Sequence, residues 1–294
     1  AENKDIQILV LWDQFGTGNS AYYEIKYDEN LAGLAEYEEG IDRWDQAELN
    51  MGSSATLENF LKWGMENYPA QNYALVMDHH GAGLGGSMVD TTSGADILTL
   101  AETRQALEAA ATSYQALDVL VMNACMMGLI ESGYQFKDVA SYYVASEDLQ
   151  WVYYQGYTDA LKQITAASRP LDVAREFMLG YAQEQNDYKG YTMSVVDLSQ
   201  AEAVKDAIEE LAGALNQNIA GNAGKLWEIR ENQVLKFPST WVPYSERIYY
   251  IDLFHFAELV IENFEEQDIQ YAAQNLIGAI YGYVVYNSSS FEHA

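Results

Sequence analysis

The chain has 294 residues, 49% of them hydrophobic, enough to bury the core of one large domain or of a domain with an accessory lobe. Its 44 acidic residues outweigh 15 basic ones, and a net charge of −29 repels nucleic acid and anionic membranes; it reads either as solubility or a salty habitat, or as steering of cationic partners such as Lys/Arg-rich peptides. No apolar stretch reaches the roughly 18 residues of a membrane span, and a single cysteine excludes an internal disulfide framework.

In chain order, Gln7–Trp12 is an apolar run that reads as a buried strand, and Ala21–Tyr27 alternates as a second, more exposed one, with Gly16, Gly18 and Asn19 as loop chemistry between them. Residues 28–52 are acidic and irregular, anchored by Leu31, Leu34 and Trp44. Ser54 reads as an N-cap, followed by Leu57, Phe60, Leu61 and Met65 at helical spacing and by Pro69 as a stop. A strand over 73–78 runs into a glycine-rich loop at 81–94. A helix over Leu98–Ala111, a strand over 118–123, a helix over 129–136 and a strand over 141–145 follow. This alternation predicts an α/β fold with a largely parallel sheet flanked by helices. Beyond 155 the chain is helix-rich (155–166, 171–186, 200–219 and 253–285), with Tyr191–Val196 as the clear strand and Pro238 and Pro243 marking an irregular connection. One unit over 1–294 is expected, residues 1–150 forming the α/β core and 151–294 a helix-rich continuation.

Two strand ends carry candidate chemistry. The run Asp118–Met122 leads through Asn123 and Ala124 to Cys125, and the run Tyr73–Asp78 leads through His79 to His80 and Gly81. Ligands of open α/β sheets bind at the carboxyl ends of strands. A cysteine attacks as the thiolate and needs a base or a lowered pKa. A lone cysteine is by itself more often a small buried apolar residue, and His80 at a neighbouring strand end shifts that balance. His79 and His80 point in different directions from an extended backbone, so at most one of them faces the thiol. His255 and His293 read as structural or incidental. Asp78, His79 and His80 form the competing metal reading, weakened because adjacent residues rarely chelate one ion. Gly81–Gly86 matches G-x-G-x-x-G, but a dinucleotide site needs a helix opening at once, whereas the loop continues through Asp90–Gly94.

With His80-Gly81 and Ala124-Cys125 each closing a strand, 45 residues apart (125 − 80), the chain resembles the clostripain family of cysteine peptidases, of the clan of caspases, legumain and gingipains. Flanking segments carry the resemblance through most of the chain: Glu48–Gly52, Thr56–Phe60, Cys125–Gly128, Val144–Glu147 and Tyr250–Leu253. It implies a caspase-like fold and a cysteine endopeptidase with Cys125 as nucleophile, His80 as general base and acid, and the Gly81 and Cys125 N–H groups as oxyanion hole. It implies a protein or peptide substrate, no required cofactor with calcium as an optional one, and secretion, cell-surface or periplasmic placement in a bacterium. No D-x-D-x-D-G loop is present, and no signal peptide opens the chain, as in a processed secreted protein.

The chain departs from the family at three points. Asn123 stands where relatives carry the Asp that helps hold a basic P1 side chain. Glu147 or Asp148 is the candidate replacement charge for a basic (Arg/Lys) P1 preference. Residues 148–154 lack the family's Pro-Gly and Gly-Trp elements. Residues 81–103 hold no Lys or Arg, and Arg104 lies in a predicted helix, so self-cleavage there is not expected. The resemblance also implies a strand and helix ahead of 7–12 and a strand after 283–287, neither of them expected within this sequence. Two other functions compete: a degenerate family member that binds peptide without cleaving it, and a nucleotide- or metabolite-binding α/β protein.

Overall fold

The computed structural model describes residues 6–25, 41–150, 156–185, 191–238 and 249–290. Along the first half run β1 (Ile8–Trp12), β2 (Ala21–Ile25), β3 (Ile41–Asp45), α1 (Ser54–Asn67), β4 (Ala74–Asp78), β5 (Ser87–Asp90), β6 (Asp96–Leu98), α2 (Leu100–Ser113), β7 (Leu117–Asn123), α3 (Ile130–Phe136) and β8 (Ala140–Ala145). Then come α4 (Tyr157–Gln163), α5 (Pro170–Gln185), β9 (Thr192–Asp197), α6 (Ala201–Asn216), α7 (Ile219–Glu228), β10 (Lys236–Pro238), β11 (Tyr249–Ile251), α8 (Leu253–Asn263), α9 (Gln267–Tyr283) and β12 (Val284–Ser289).

The central sheet has the order β12-β9-β8-β7-β4. Its β4–β7 and β7–β8 pairs are parallel, while β9 and β12 are added antiparallel. Period-two alternation sorts its side chains into two cores. Leu120 and Met122 of β7, with Leu75 and Met77 of β4, face α1, α2, α6, α8 and α9. Val119 and Val121 face α4 and α5 through Phe177, Met178 and Tyr181. Both faces of β7 are thus covered, which is why its sequence is a continuous apolar run rather than an alternating one.

Several expectations change. The first two strands exchange roles: β2 is central in a separate antiparallel sheet, β1-β2-β3, so Ala21, Tyr22 and Tyr23 are buried, while β1 is half-covered and Trp12 is 54% exposed. β3 forms inside the acidic segment expected to be irregular, and its Trp44 meets Trp63 edge-on at 5.3 Å; Leu31 and Leu34 lie outside the described residues. Trp63 also packs on Tyr22 at 4.7 Å, so α1 turns aromatic residues to this small sheet and Leu57, Leu61 and Met65 to the main core. Ser53, rather than Ser54, is the N-cap position of α1. The glycine-rich loop contains the β5–β6 hairpin. α2 starts at Leu100 because Thr99 and Glu102 close a capping box. The helix expected over 253–285 is α8 and α9, and its last residues leave as β12, which pairs with β9. A strand pair, β10–β11, joins the segments on either side of the expected irregular connection, whose Pro243 lies outside the described residues, as does His293.

Candidate active site

The two strand ends lie side by side. The β4–β7 register pairs Asp78 with Asn123, and His79 N–H continues the ladder by donating to Asn123 O at 3.3 Å. Gly81 then rests on the Ala124–Cys125 peptide. A Cβ there would stand 2.4 Å from Cys125 O and 2.8 Å from Cys125 N, so only glycine permits this approach.

Past Cys125 the chain turns sharply. Met126 adopts φ 57°, a left-handed conformation unfavourable for a side chain of its size, and its N–H donates to Asp148 O at 3.0 Å. Gly128 N–H donates to Ser146 O at 2.7 Å, and a Cβ on Gly128 would collide with the Ser146–Glu147 peptide. Met126 and Met127 are fully buried, so the turn is anchored from within. It fixes the half-buried Cys125, whose Sγ lies 3.3 Å from Gln150 N and 3.6 Å from Gln150 O. Burial pushes the Cys125 thiol up; the N–H groups of Gln150, of Cys125 itself and of Gly81 act on the sulfur in the opposite sense, and the Asp148 charge adds to the rise. A protonated thiol at neutral pH needs a base to become a nucleophile.

His80 is exposed, its ring 5.0 Å from and nearly perpendicular to that of His79. Burial pushes His79 below the usual histidine value, as does His80. The loop beyond is held from several sides. Met88 N–H donates to His80 O, Gly81 bridges to Ser87, and the Tyr250 hydroxyl lies between Ala82 O and Leu84 N. The 48–52 segment ties the hairpin down: Met51 N–H donates to Asp90 at 2.9 Å and Asn50 to Asp96 at 2.6 Å. The G-x-G-x-x-G run thus enters a 3-10 turn at Gly83–Gly85 and then a hairpin, leaving no helix N-terminus for a pyrophosphate.

The remaining candidates separate. Asp148 is close enough to act on the Cys125 thiol. Burial pushes Glu147 up to about 8, with Asp252 and Asp148 adding to the rise. Asn123 is buried, and its side-chain N–H donates to the Tyr157 hydroxyl, which donates to Asp78. Tyr157 was no sequence candidate; counting two residues back from His80 and from Cys125 pairs Asp78 with Asn123, but the helix that delivers the phenol lies 34 residues on. His255 is structural, its Nδ1 accepting from Leu235 N–H at 3.1 Å. Arg104 lies in α2, paired with Glu108.

Among the described residues, no three His, Cys, Asp or Glu side chains converge as a metal site. One group of neighbouring carboxylates, Asp13, Glu48 and Asp90, already accepts from Ser20, from Gly18 and Thr92, and from Met51, Thr92 and Ser93. Nor, among those residues, is any helix long and apolar enough to cross a membrane.

A family model described as the Clostripain family matches residues 1–293. Clostripain of Hathewaya histolytica is 29% identical over 265 residues, 74% of this chain and 49% of that protein, so the chain spans about half the length of this curated relative. A secreted C11 cysteine protease from Bacteroides thetaiotaomicron, solved with an irreversible peptide inhibitor, shares the fold with a TM-score of 0.67 at 16% identity, covering 97% of this chain and 74% of that one. An inactive zymogen C11 protease from Parabacteroides distasonis gives 0.69 at 15% identity, covering 97% and 73%.

Proposed function

The chain belongs to the clostripain family, and from that membership we propose that it is a cysteine endopeptidase acting through Cys125 and His80. The observation that carries the reading is the seat of Gly81 on the Ala124–Cys125 peptide, with backbone N–H groups from two strand ends directed at one sulfur. In this reading Sγ turns from Gln150 toward the substrate carbonyl as His80 takes its proton. The carbonyl oxygen, now negative, is received by the Gly81 and Cys125 N–H groups. Collapse expels the amine, which takes the proton back from His80, and leaves a thioester on Cys125. Water, deprotonated by His80, then attacks the thioester; the Sγ–carbon bond breaks, the acid product leaves, and His80 returns the proton to Sγ.

No step requires a cofactor. Calcium is the ion the family implies, and dialysis against EDTA tests it: an unchanged rate removes calcium from the mechanism. The substrate is a peptide, with a basic P1 residue preferred, and the protein acts outside the bacterial cytoplasm as one peptidase unit over 1–294. Fluorogenic peptides with P1 Arg, Lys, Asn, Asp and Ala test the activity against a Cys125→Ala control. Hydrolysis by the parent and none by the variant is expected; equal rates in the two would end this reading.

A second reading, a peptide binder that does not cleave, draws on the seat of Sγ against the Gln150 peptide and its raised pKa. Saturable peptide binding without turnover, and without a stoichiometric burst of the leaving fluorophore, would favour it.

A further inference from the structure

We propose that Asp78, bridged by Tyr157 to Asn123, is the carboxylate that receives a basic P1 side chain. The inference rests on the peptidase reading above and relocates a charge within it. The family's carboxylate two residues before the nucleophile is the neutral Asn123 here. One strand over, two residues before His80, stands Asp78.

Three observations place it. Alternation puts Asn123 on the sheet face of Val119 and Val121, and Asp78 on the face of Val76, both toward α4 and α5. Cys125 lies on the same side, since Ala124 between them belongs to the opposite core and Gln150, which holds Sγ, packs on Met193 of the α5 face. Two residues of strand span about 6.6 Å, a reach suited to a long cationic side chain whose backbone is held at Sγ.

The hydrogen bonds have one consistent direction. Tyr157 donates its only hydroxyl hydrogen to Asp78 Oδ2 at 2.5 Å, and so accepts from Asn123 Nδ2 at 2.5 Å. An Asp at 123 would set a second carboxylate against that hydroxyl with no proton between them, whereas an Asn supplies one. Asn123 and Asp78 therefore form a matched set, with the charge moved to the neighbouring strand. Asp78 is an exposed residue, and among the described residues no hydrogen bond reaches its Oδ1 and no Lys or Arg pairs with it. Partial burial of the carboxyl group raises the pKa of Asp78, so an arriving guanidinium or ammonium stabilises the ionised form.

The test compares peptides that differ only at P1 (Arg, Lys, citrulline, norleucine) for the parent and for D78N, N123D and D78N/N123D. The parent is expected to prefer Arg over citrulline by roughly 100-fold in kcat/KM. D78N should bring that ratio close to one, and D78N/N123D should regain at least about a tenfold preference by restoring a carboxylate at 123. Y157F keeps the ring and loses the bridge; it should raise KM for Arg substrates more than it lowers kcat. Thermal melting of each variant separates loss of fold from change of preference. An Arg-to-citrulline ratio unchanged in D78N, or an equal fall across all four substrates, would overturn the proposal while leaving the peptidase standing. A parent that hydrolyses none of the four overturns both.

Discussion

The carboxyl end of β7 is largely buried and held by backbone hydrogen bonds, whereas the end of β4, one strand away, opens to solvent. Asn123, Ala124, Met126 and Met127 are buried around a half-buried Cys125, while Asp78, His79 and His80 are exposed. The cause is topological: β7 has a parallel partner on each side, and among the described residues β4 has one. The difference suits the proposed division of labour, in which Cys125 is fixed by backbone contacts and His80 has room to move as substrate arrives.

That contrast can be broken most directly by removing each partner. Cys125→Ala is expected to lower kcat by at least ~10⁴-fold, and His80→Gln by ~10³-fold. A smaller loss in the cysteine variant would mean that the packed strand end is not the reacting one. Gly81→Ala comes next. Its Cβ meets Cys125 backbone atoms that cannot move without disturbing β7, so activity should be lost along with about 2 kcal/mol or more of stability, measured by urea denaturation. Wild-type stability in that variant would separate the two strand ends again.

Alkylation sharpens the picture of the packed end. Because burial pushes the thiol up, the rate of Cys125 carboxamidomethylation without substrate should climb about tenfold per pH unit above pH 7. A rate already flat between pH 6 and 8 would show a thiolate that needs no base. The smallest effect concerns the end of β8. Glu147 is pushed up to about 8 from an ordinary value of 4.5, so between those values the folded chain keeps a proton that the unfolded chain has lost. Stability therefore falls as pH rises through this window. Glu147→Gln removes that slope: its advantage over the parent should be negligible near pH 4 and about 1–2 kcal/mol at pH 8 or above. A constant difference across the range would mean the carboxyl is solvated.

Much of the central sheet was legible because β4 and β7 carry apolar runs, Ala74–Met77 and Val119–Met122, and β8 ends on one, Tyr142–Ala145. Cys125 and His80 were legible because each follows such a run. β3 was not legible, since its residues Ile41–Asp45 become a strand only by pairing with Ala21–Ile25. β12 was hidden for the same reason: Val284–Ser289 follow a helix without a break and take their conformation from β9, about ninety residues earlier. The exchanged burial of β1 and β2 followed from which strand is central, and hydropathy does not report that.

By itself the sequence determined the family, the α/β order of elements and the two strand ends that carry a thiol and an imidazole, because local periodicity and short motifs are properties of contiguous residues. The tertiary structure alone decided how those ends meet. Parallel register set Asp78 beside Asn123, a helix from 34 residues on placed Tyr157 between them, and the Gly81 backbone closed onto Cys125. Each depends on chain segments brought together only when the two cores are buried, and no short-range pattern records that.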